Sequence, residues 1–136
     1  MANTLKLEIV TPEEKVYSED VEMVTLPGIE GEMGIYPNHV PLMTQIVAGE
    51  VSVRKAGQPY YLAVGDGFVE IRGDRVSILT DMAIGADKID LAKAEEARKR
   101  AELRLAEKLE EEEVAAINAS LAHSLAQLKV KRRTHS

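Results

Sequence analysis

All nine glycines and all five prolines of this 136-residue chain fall at or before Gly85, and all five aromatic residues fall at or before Phe68. Long helices do not tolerate that much punctuation, because proline removes a backbone donor and glycine loses the most conformational freedom on ordering. Beyond Gly85 neither residue occurs, and Ala, Leu, Glu, Lys and Arg, the strongest helix formers, dominate. The break predicts two domains, a sheet domain over residues 1–86 and a helical one over 87–136.

In the first part, apolar residues alternate with Lys6 and Glu8 from Leu5 to Ile9, which is the period of a half-buried strand, and Thr11-Pro12 ends the run. Residues 21–26 are rich in β-branched side chains and close on Pro27-Gly28. Stretches 41–47, 51–54, 60–64, 68–72 and 75–80 read as further strands. Their turns fall at Ala56-Gly57-Gln58-Pro59, Gly65-Asp66-Gly67 and Gly73-Asp74. This spacing predicts a β-sandwich of about ten short, mostly antiparallel strands. Gly65, Gly67 and Glu70 match a phosphate loop in outline, but such glycines must open a helix whose N-terminus meets the phosphate. Here they open a strand, and Gly beside Asp predicts a hairpin turn.

The segment Gly31-Glu32-Met33-Gly34-Ile35-Tyr36-Pro37-Asn38-His39-Val40-Pro41 is too broken for a helix and too rigid for a linker. Two prolines fix φ and two glycines permit positive φ, so an ordered surface loop is expected, shaped without help from a sheet ladder. It would present Glu32, Met33, Ile35, Tyr36 and His39. A plain connection between strands is the alternative.

In the second part, Asp90 is a good N-cap, and a first helix of about 20 residues, ~30 Å long, is expected over 92–109. Ala94, Ala97, Ala101 and Leu105 share one face, opposite Glu95, Lys99 and Glu102. Four consecutive glutamates at 110–113 predict a break and suit the positive N-terminus of a second helix. That helix carries a stripe of Val114, Ile117, Leu121, Leu125 and Leu128 beside Ala115, Ala119, Ala122 and Ala126. One apolar stripe each and a short connection predict an antiparallel two-helix hairpin. An alanine seam buries little area, so the hairpin must lean on something else and is a natural moving part.

The net charge of −6 argues against nucleic acid as a partner. Residues 1–86 hold 6 basic and 13 acidic side chains, whereas 87–136 hold 11 and 10. Four of those bases cluster at Lys129, Lys131, Arg132 and Arg133. With no cysteine there is no disulfide and no thiolate metal site. No run reaches the roughly 18 apolar residues of a membrane span, and the N-terminus lacks secretory and transit features, so a cytosolic bacterial or organelle-encoded product is expected. His39, His123 and His135 are far apart, and no metal ligand pattern is legible. Glu32 and His39 are a conceivable acid–base pair, but no nucleophile, oxyanion donor or cofactor loop stands beside them, so neither catalysis nor a cofactor is expected.

The order Gly-Glu-x-Gly-Ile-x-Pro-x-His-x-Pro at 31–41, followed by Leu42-Met43-Thr44, resembles the signature of the epsilon subunit of bacterial and chloroplast F-type ATP synthases. Three other landmarks are similar in order and spacing: Leu5-Lys6-Leu7-Glu8-Ile9-Val10-Thr11-Pro12, Gly67-Phe68-Val69-Glu70-Ile71, and Ile89-Asp90-Leu91-Ala92-Lys93-Ala94. The resemblance implies a non-catalytic rotor subunit on the central stalk, at the cytoplasmic face of the bacterial membrane. Its sandwich would bind the gamma subunit and the c-ring loops, and its hairpin would fold on the sandwich in one state and extend into the catalytic alpha/beta head in another, blocking ATP hydrolysis. It implies that Glu32, Met33, Ile35, Tyr36 and His39 meet the c-ring. It also implies that Lys129, Lys131, Arg132 and Arg133 form a regulatory tail facing an acidic segment of beta. Ile89, Asp90, Lys93 and Ala94 stand where some members carry an ATP motif with arginine in place of Lys93. An ammonium is a point charge and not a planar fork, and residues 114–128 contain no arginine, so weak or no ATP binding is expected. The alternative is a stand-alone interaction module or a helix-mediated homodimer.

Overall fold

A computed structural model of the chain describes residues 4–107 and 109–135. Ten strands come first: β1 (Leu5–Val10), β2 (Lys15–Val21), β3 (Met23–Gly28), β4 (Gly31–Ile35), β5 (Leu42–Ile46), β6 (Gly49–Lys55), β7 (Gln58–Val64), β8 (Gly67–Arg72), β9 (Arg75–Thr80) and β10 (Ala83–Gly85). A 3-10 turn, Ala86–Lys88, leads into α1 (Leu91–Leu105) and α2 (Glu111–His135).

The strands run in the order β10-β7-β6-β3-β5-β8-β9-β1-β2, with β4 also paired to β3. β1 and β9 are parallel, and the other pairs are antiparallel. The two halves of this order join where Gly28 lies opposite Ile46, and there the sheet folds over on itself. Alternation along each strand then fills the space between the halves. Leu5, Leu7 and Ile9 of β1 meet Val24 and Leu26 of β3, Val51 and Val53 of β6, Val69 and Ile71 of β8, and Val76 and Ile78 of β9 in one buried cluster. Fully burying such a side chain is worth ~1.5–3 kcal/mol, so the sandwich has a core of its own. At the far edges Tyr17 of β2 stacks on Tyr60 of β7, with centroids 6.0 Å apart and planes 18° from parallel.

Strand β2 has no counterpart among those expected from the sequence, and two expectations change. β2 is a strand although it carries Lys15, Glu19 and Asp20; it is an edge, where charged residues guard an unpaired ladder. Its ends are fixed by ion pairs of Lys15 with Glu8 and of Lys55 with Glu19. Gly65-Asp66-Gly67 does not close a hairpin: β7 pairs with β6 and β10, while β8 pairs with β5 and β9, so the turn carries the chain between the two halves. Helix α1 has 15 residues rather than the expected twenty or so. The composition would support more turns, but the chain must reverse before α2, and Ala106 caps α1. Lys108, inside the expected helix, lies outside the described residues.

Asp90 caps α1 as expected, its Oδ1 accepting from the Lys93 amide at 3.1 Å. Buried Ala94 and Ala101 let α2 approach closely, and Glu111, Glu112 and Glu113 occupy its first turn. Arg104 reaches Glu113 at 3.4 Å across the hairpin. The expected stripe breaks at Leu125, which is 48% exposed, while Ser124, Ala126, Leu128 and Val130 are buried. The reason is that the C-terminal half of α2 serves two neighbours. Besides packing on α1 it lies on β6 and β7, where Ala126 and Val130 join Ala63, Ala86 and Ile89 in a second apolar cluster.

Replacing the cap residue, Asp90→Ala, is expected to cost ~1 kcal/mol of helical-domain stability, read as a lower urea midpoint of the 222 nm signal. An unchanged midpoint would mean that the Lys93 amide finds another partner.

Candidate functional site

The 31–41 segment is half strand and half turn. β4 forms a hairpin with β3, with Val24 opposite Ile35 and Gly28 opposite Gly31, so a ladder does shape its first half. Gly31 has φ +131°, where a side chain would be strained; Asn38, and not Gly34, is the other left-handed residue, at φ 67°. The Asn38 amide donates to Asp74 Oδ1 at 2.9 Å, tying the turn to the β8–β9 connection. His39 Nδ1 lies 2.7 Å from the Val40 carbonyl and must carry the proton that it donates there.

Strand alternation sorts the five expected contact residues. Glu32 and Tyr36 face out, Tyr36 being 61% exposed, and His39 is half-buried. Ile35 is fully buried in the main core and Met33 packs against it. Ile35 therefore cannot contribute to a surface, which corrects its place among the presenting residues. The period of two on β4 is the physical reason. Exposed Val40 and Met43 stand in the same stretch instead.

The motif at the head of α1 is occupied by structure. Ile89 is buried under α2 with Ala126 and Val130, Asp90 is the helix cap, Ala94 is buried in the hairpin seam, and Lys93 is exposed. His123 of α2 donates from Nε2 to Asp81 Oδ1 at 3.2 Å. A Cβ at Gly65 would lie 1.9 Å from that carboxylate oxygen and 2.7 Å from the imidazole nitrogen, so a larger residue there would push this side-chain pair aside. At the 3-10 turn, the Tyr60 hydroxyl donates to Asp87 at 2.7 Å. Burial, then this bond, pushes the Tyr60 hydroxyl well above its usual range, and the same bond lowers the Asp87 carboxyl.

Three of the four clustered bases have partners, each on a different element. Lys131 Nζ donates to the Ala86 carbonyl at 3.1 Å, and Arg132 meets Glu95 of α1 at 2.7 Å. Arg133 Nε meets Glu50 of β6 at 2.7 Å while its guanidinium sits 5.4 Å from the Tyr61 ring centroid. Glu50 raises the Arg133 pKa, with smaller contributions from Tyr61 and Glu32. Lys129 is exposed. Nothing in the sequence marks Glu50, a lone acid at a strand start; only the fold brings it to the end of α2.

Elsewhere the sandwich turns an apolar strip outward. Val10 and Phe68 flank Leu79 across β1, β9 and β8, and both Phe68 and Leu79 are exposed. Among the described residues no group of three or more His, Asp or Glu side chains is placed to hold a metal ion.

Residues 4–86 match the family model of the ATP synthase delta/epsilon chain beta-sandwich domain, and residues 87–132 match that of the long alpha-helix domain. The chain belongs to the ATP synthase delta/epsilon family. An ATP synthase epsilon chain of Dehalococcoides mccartyi is 50% identical over 134 residues, covering 96% of each chain. One from Syntrophobacter fumaroxidans is 42% identical and covers 98% of this chain and 100% of its own. In fold, the chain is similar to one in the Euglena gracilis mitochondrial ATP synthase, at a TM-score of 0.78 and 22% identity, covering 95% of this chain and 81% of that one. The resemblance to ATP synthase epsilon subunits read from 31–41 and the other landmarks thus holds along the chain.

Within this family fold, Ile35 and Glu32 should behave oppositely. Ile35→Ala is expected to cost ~2–5 kcal/mol of stability in urea unfolding, whereas Glu32→Ala stays within ~0.5 kcal/mol. Equal effects would contradict the assignment of one to the core and the other to the surface.

Proposed function

We propose that the chain is the epsilon subunit of the central stalk of an F-type ATP synthase, a non-catalytic part at the cytoplasmic face of the membrane that links c-ring rotation to the catalytic head. The observation that carries this reading is a sandwich with its own core bearing a hairpin docked through alanines and ion pairs. Such a seam can open without unfolding the sandwich, as a subunit with a folded and an extended state requires. The epsilon chains that match over nearly their full length support the assignment.

The gamma subunit is assigned to the outward strip of Val10, Phe68 and Leu79, an apolar surface that stays uncovered when the hairpin is docked. The c-ring loops are assigned to Glu32, Tyr36 and His39, with Met33 as support beneath them. The anchoring of Asn38 on Asp74 stiffens this turn and lowers the entropy lost on docking. The basic residues Lys129, Lys131, Arg132 and Arg133 act on an acidic surface of the catalytic head once the hairpin extends, and so restrain ATP hydrolysis.

In complexes rebuilt with gamma and the alpha/beta head, removing residues 87–136 is expected to raise ATP hydrolysis several-fold while gamma binding is retained. Glu32→Lys with His39→Ala is expected to lower proton-driven synthesis in membranes and leave hydrolysis by the soluble complex unchanged. Loss of gamma binding on truncation, or unaltered synthesis in the double variant, would contradict the respective assignment.

ATP is proposed to bind this member weakly or not at all. Asp90 is engaged as a cap, Ile89 and Ala94 are buried, and His123 is held by Asp81. Calorimetric titration with Mg-free ATP should give no saturable heat, and micromolar affinity would contradict the reading.

A further inference from the structure

A helix C-terminus favours a nearby cation, but one exposed lysine satisfies that preference, and the end of α2 does far more. Lys131 is bonded to the 3-10 turn, Arg132 to α1 and Arg133 to β6, so three successive side chains reach three separate elements. The Glu50 side chain is only 10% exposed. A carboxylate taken that far out of water costs free energy unless an opposite charge or donors face it. Arg133 faces it at 2.7 Å and covers Tyr61, which packs against the apolar cluster under α2. The other bases of β6, Arg54 and Lys55, sit at the opposite end of that strand, and Lys55 is paired with Glu19.

We propose that the basic end of α2 is a clasp, anchored on Glu50, that holds the hairpin down on the sandwich and keeps Lys131, Arg132 and Arg133 engaged with their partners while it is closed. The apolar cluster of Ala63, Ala86, Ile89, Ala126 and Val130 supplies contact without much direction, whereas the Arg133–Glu50 pair fixes the last turn of α2 at one place on β6. The clasp therefore sets how often the hairpin is released. The consequence for the assembled enzyme rests on the regulatory reading above. There, the same cations serve both states, bound to Glu50, Glu95 and the Ala86 carbonyl in one and offered to the catalytic head in the other.

The clasp makes substitutions on its two sides differ. Glu50→Gln removes the anchoring charge, weakening the clasp, and leaves every charge of the tail in place; Arg133→Gln weakens it and removes one. Hydrogen exchange of the isolated chain tests the clasp without reference to any partner. Both variants are expected to exchange the amides of residues 121–131 roughly tenfold faster or more, while the amides of Leu7 and Ile78 in the sandwich core stay protected. The double variant should fall short of the sum of the two single ones, because both remove the Arg133–Glu50 contact. Should Glu50→Gln lose protection at Leu7 and Ile78 as well, the Arg133→Gln variant carries the test, since its side chain is half exposed and outside the main core. Unchanged exchange over 121–131 in the folded variant would overturn the proposal, as would additive effects in the double variant.

In the rebuilt ATP synthase complex, Glu50→Gln should then deepen inhibition of hydrolysis, and Arg133→Gln should deepen it less. Faster exchange in the isolated chain with unaltered hydrolysis in the complex would uphold the clasp and count against the regulatory reading instead.

Discussion

The seating of the last turns of α2 on β6 and β7 is the contact on which the rest of the helical domain depends. Without it, α1 and α2 share a seam built on Ala94, Ala97 and Ala101, which buries too little surface to hold two helices of 15 and 25 residues in water. With it, Val130 is sealed against Ala63 and Ile89, at ~1.5–3 kcal/mol, and α1 gains a fixed partner. The main core of the sandwich, by contrast, is built from strand residues alone. This one-way dependence is what allows the helices to be a separable part of a stable protein.

Apolar burial and ion pairing do different work at this seam. Exposed ion pairs contribute ~0–1 kcal/mol each, so Arg132 with Glu95 and Arg104 with Glu113 do not hold the hairpin by themselves. Burial supplies most of the attraction, but alanines and a valine on a flat sheet specify position poorly. Directional polar contacts specify it well, and those that do so lie on the side of α2 that faces the sandwich: the His123–Asp81 hydrogen bond and the Arg133–Glu50 ion pair. Bonds of that kind can be exchanged for equivalent bonds elsewhere. An apolar core cannot be exchanged in that way, so the polar contacts are the suitable place for control.

Much of this was legible in the sequence, for reasons visible in particular residues. The alternation of Leu5, Leu7 and Ile9 predicts both strand and core face, and Asp90 before a run of helix formers predicts the start of α1 within one residue. What escaped depends on which parts of the chain meet. Lys15, Glu19 and Asp20 hid β2, because an edge strand tolerates charges that a periodicity argument counts against it. The glycine–aspartate turn at Gly65 looked local, yet it carries the chain between the two halves of the sheet. Ile35 looked presented because the prolines and glycines around it suggested a loop, and only pairing with β3 fixes which way each side chain points. Glu50 offered no signal at all, since a salt bridge across 83 residues has no local pattern.

The central claim is that the hairpin is docked reversibly, and a distance measurement tests it most directly. The chain contains no cysteine, so Gln58→Cys on β7 and Leu125→Cys on α2, both at exposed positions, accept spin labels selectively. In the isolated chain a single short distance is expected, matching the docked hairpin. In the assembled complex a second population should appear, longer by on the order of 20 Å, as an extending helix of this length requires. A single short distance in the complex under every nucleotide condition would contradict the account.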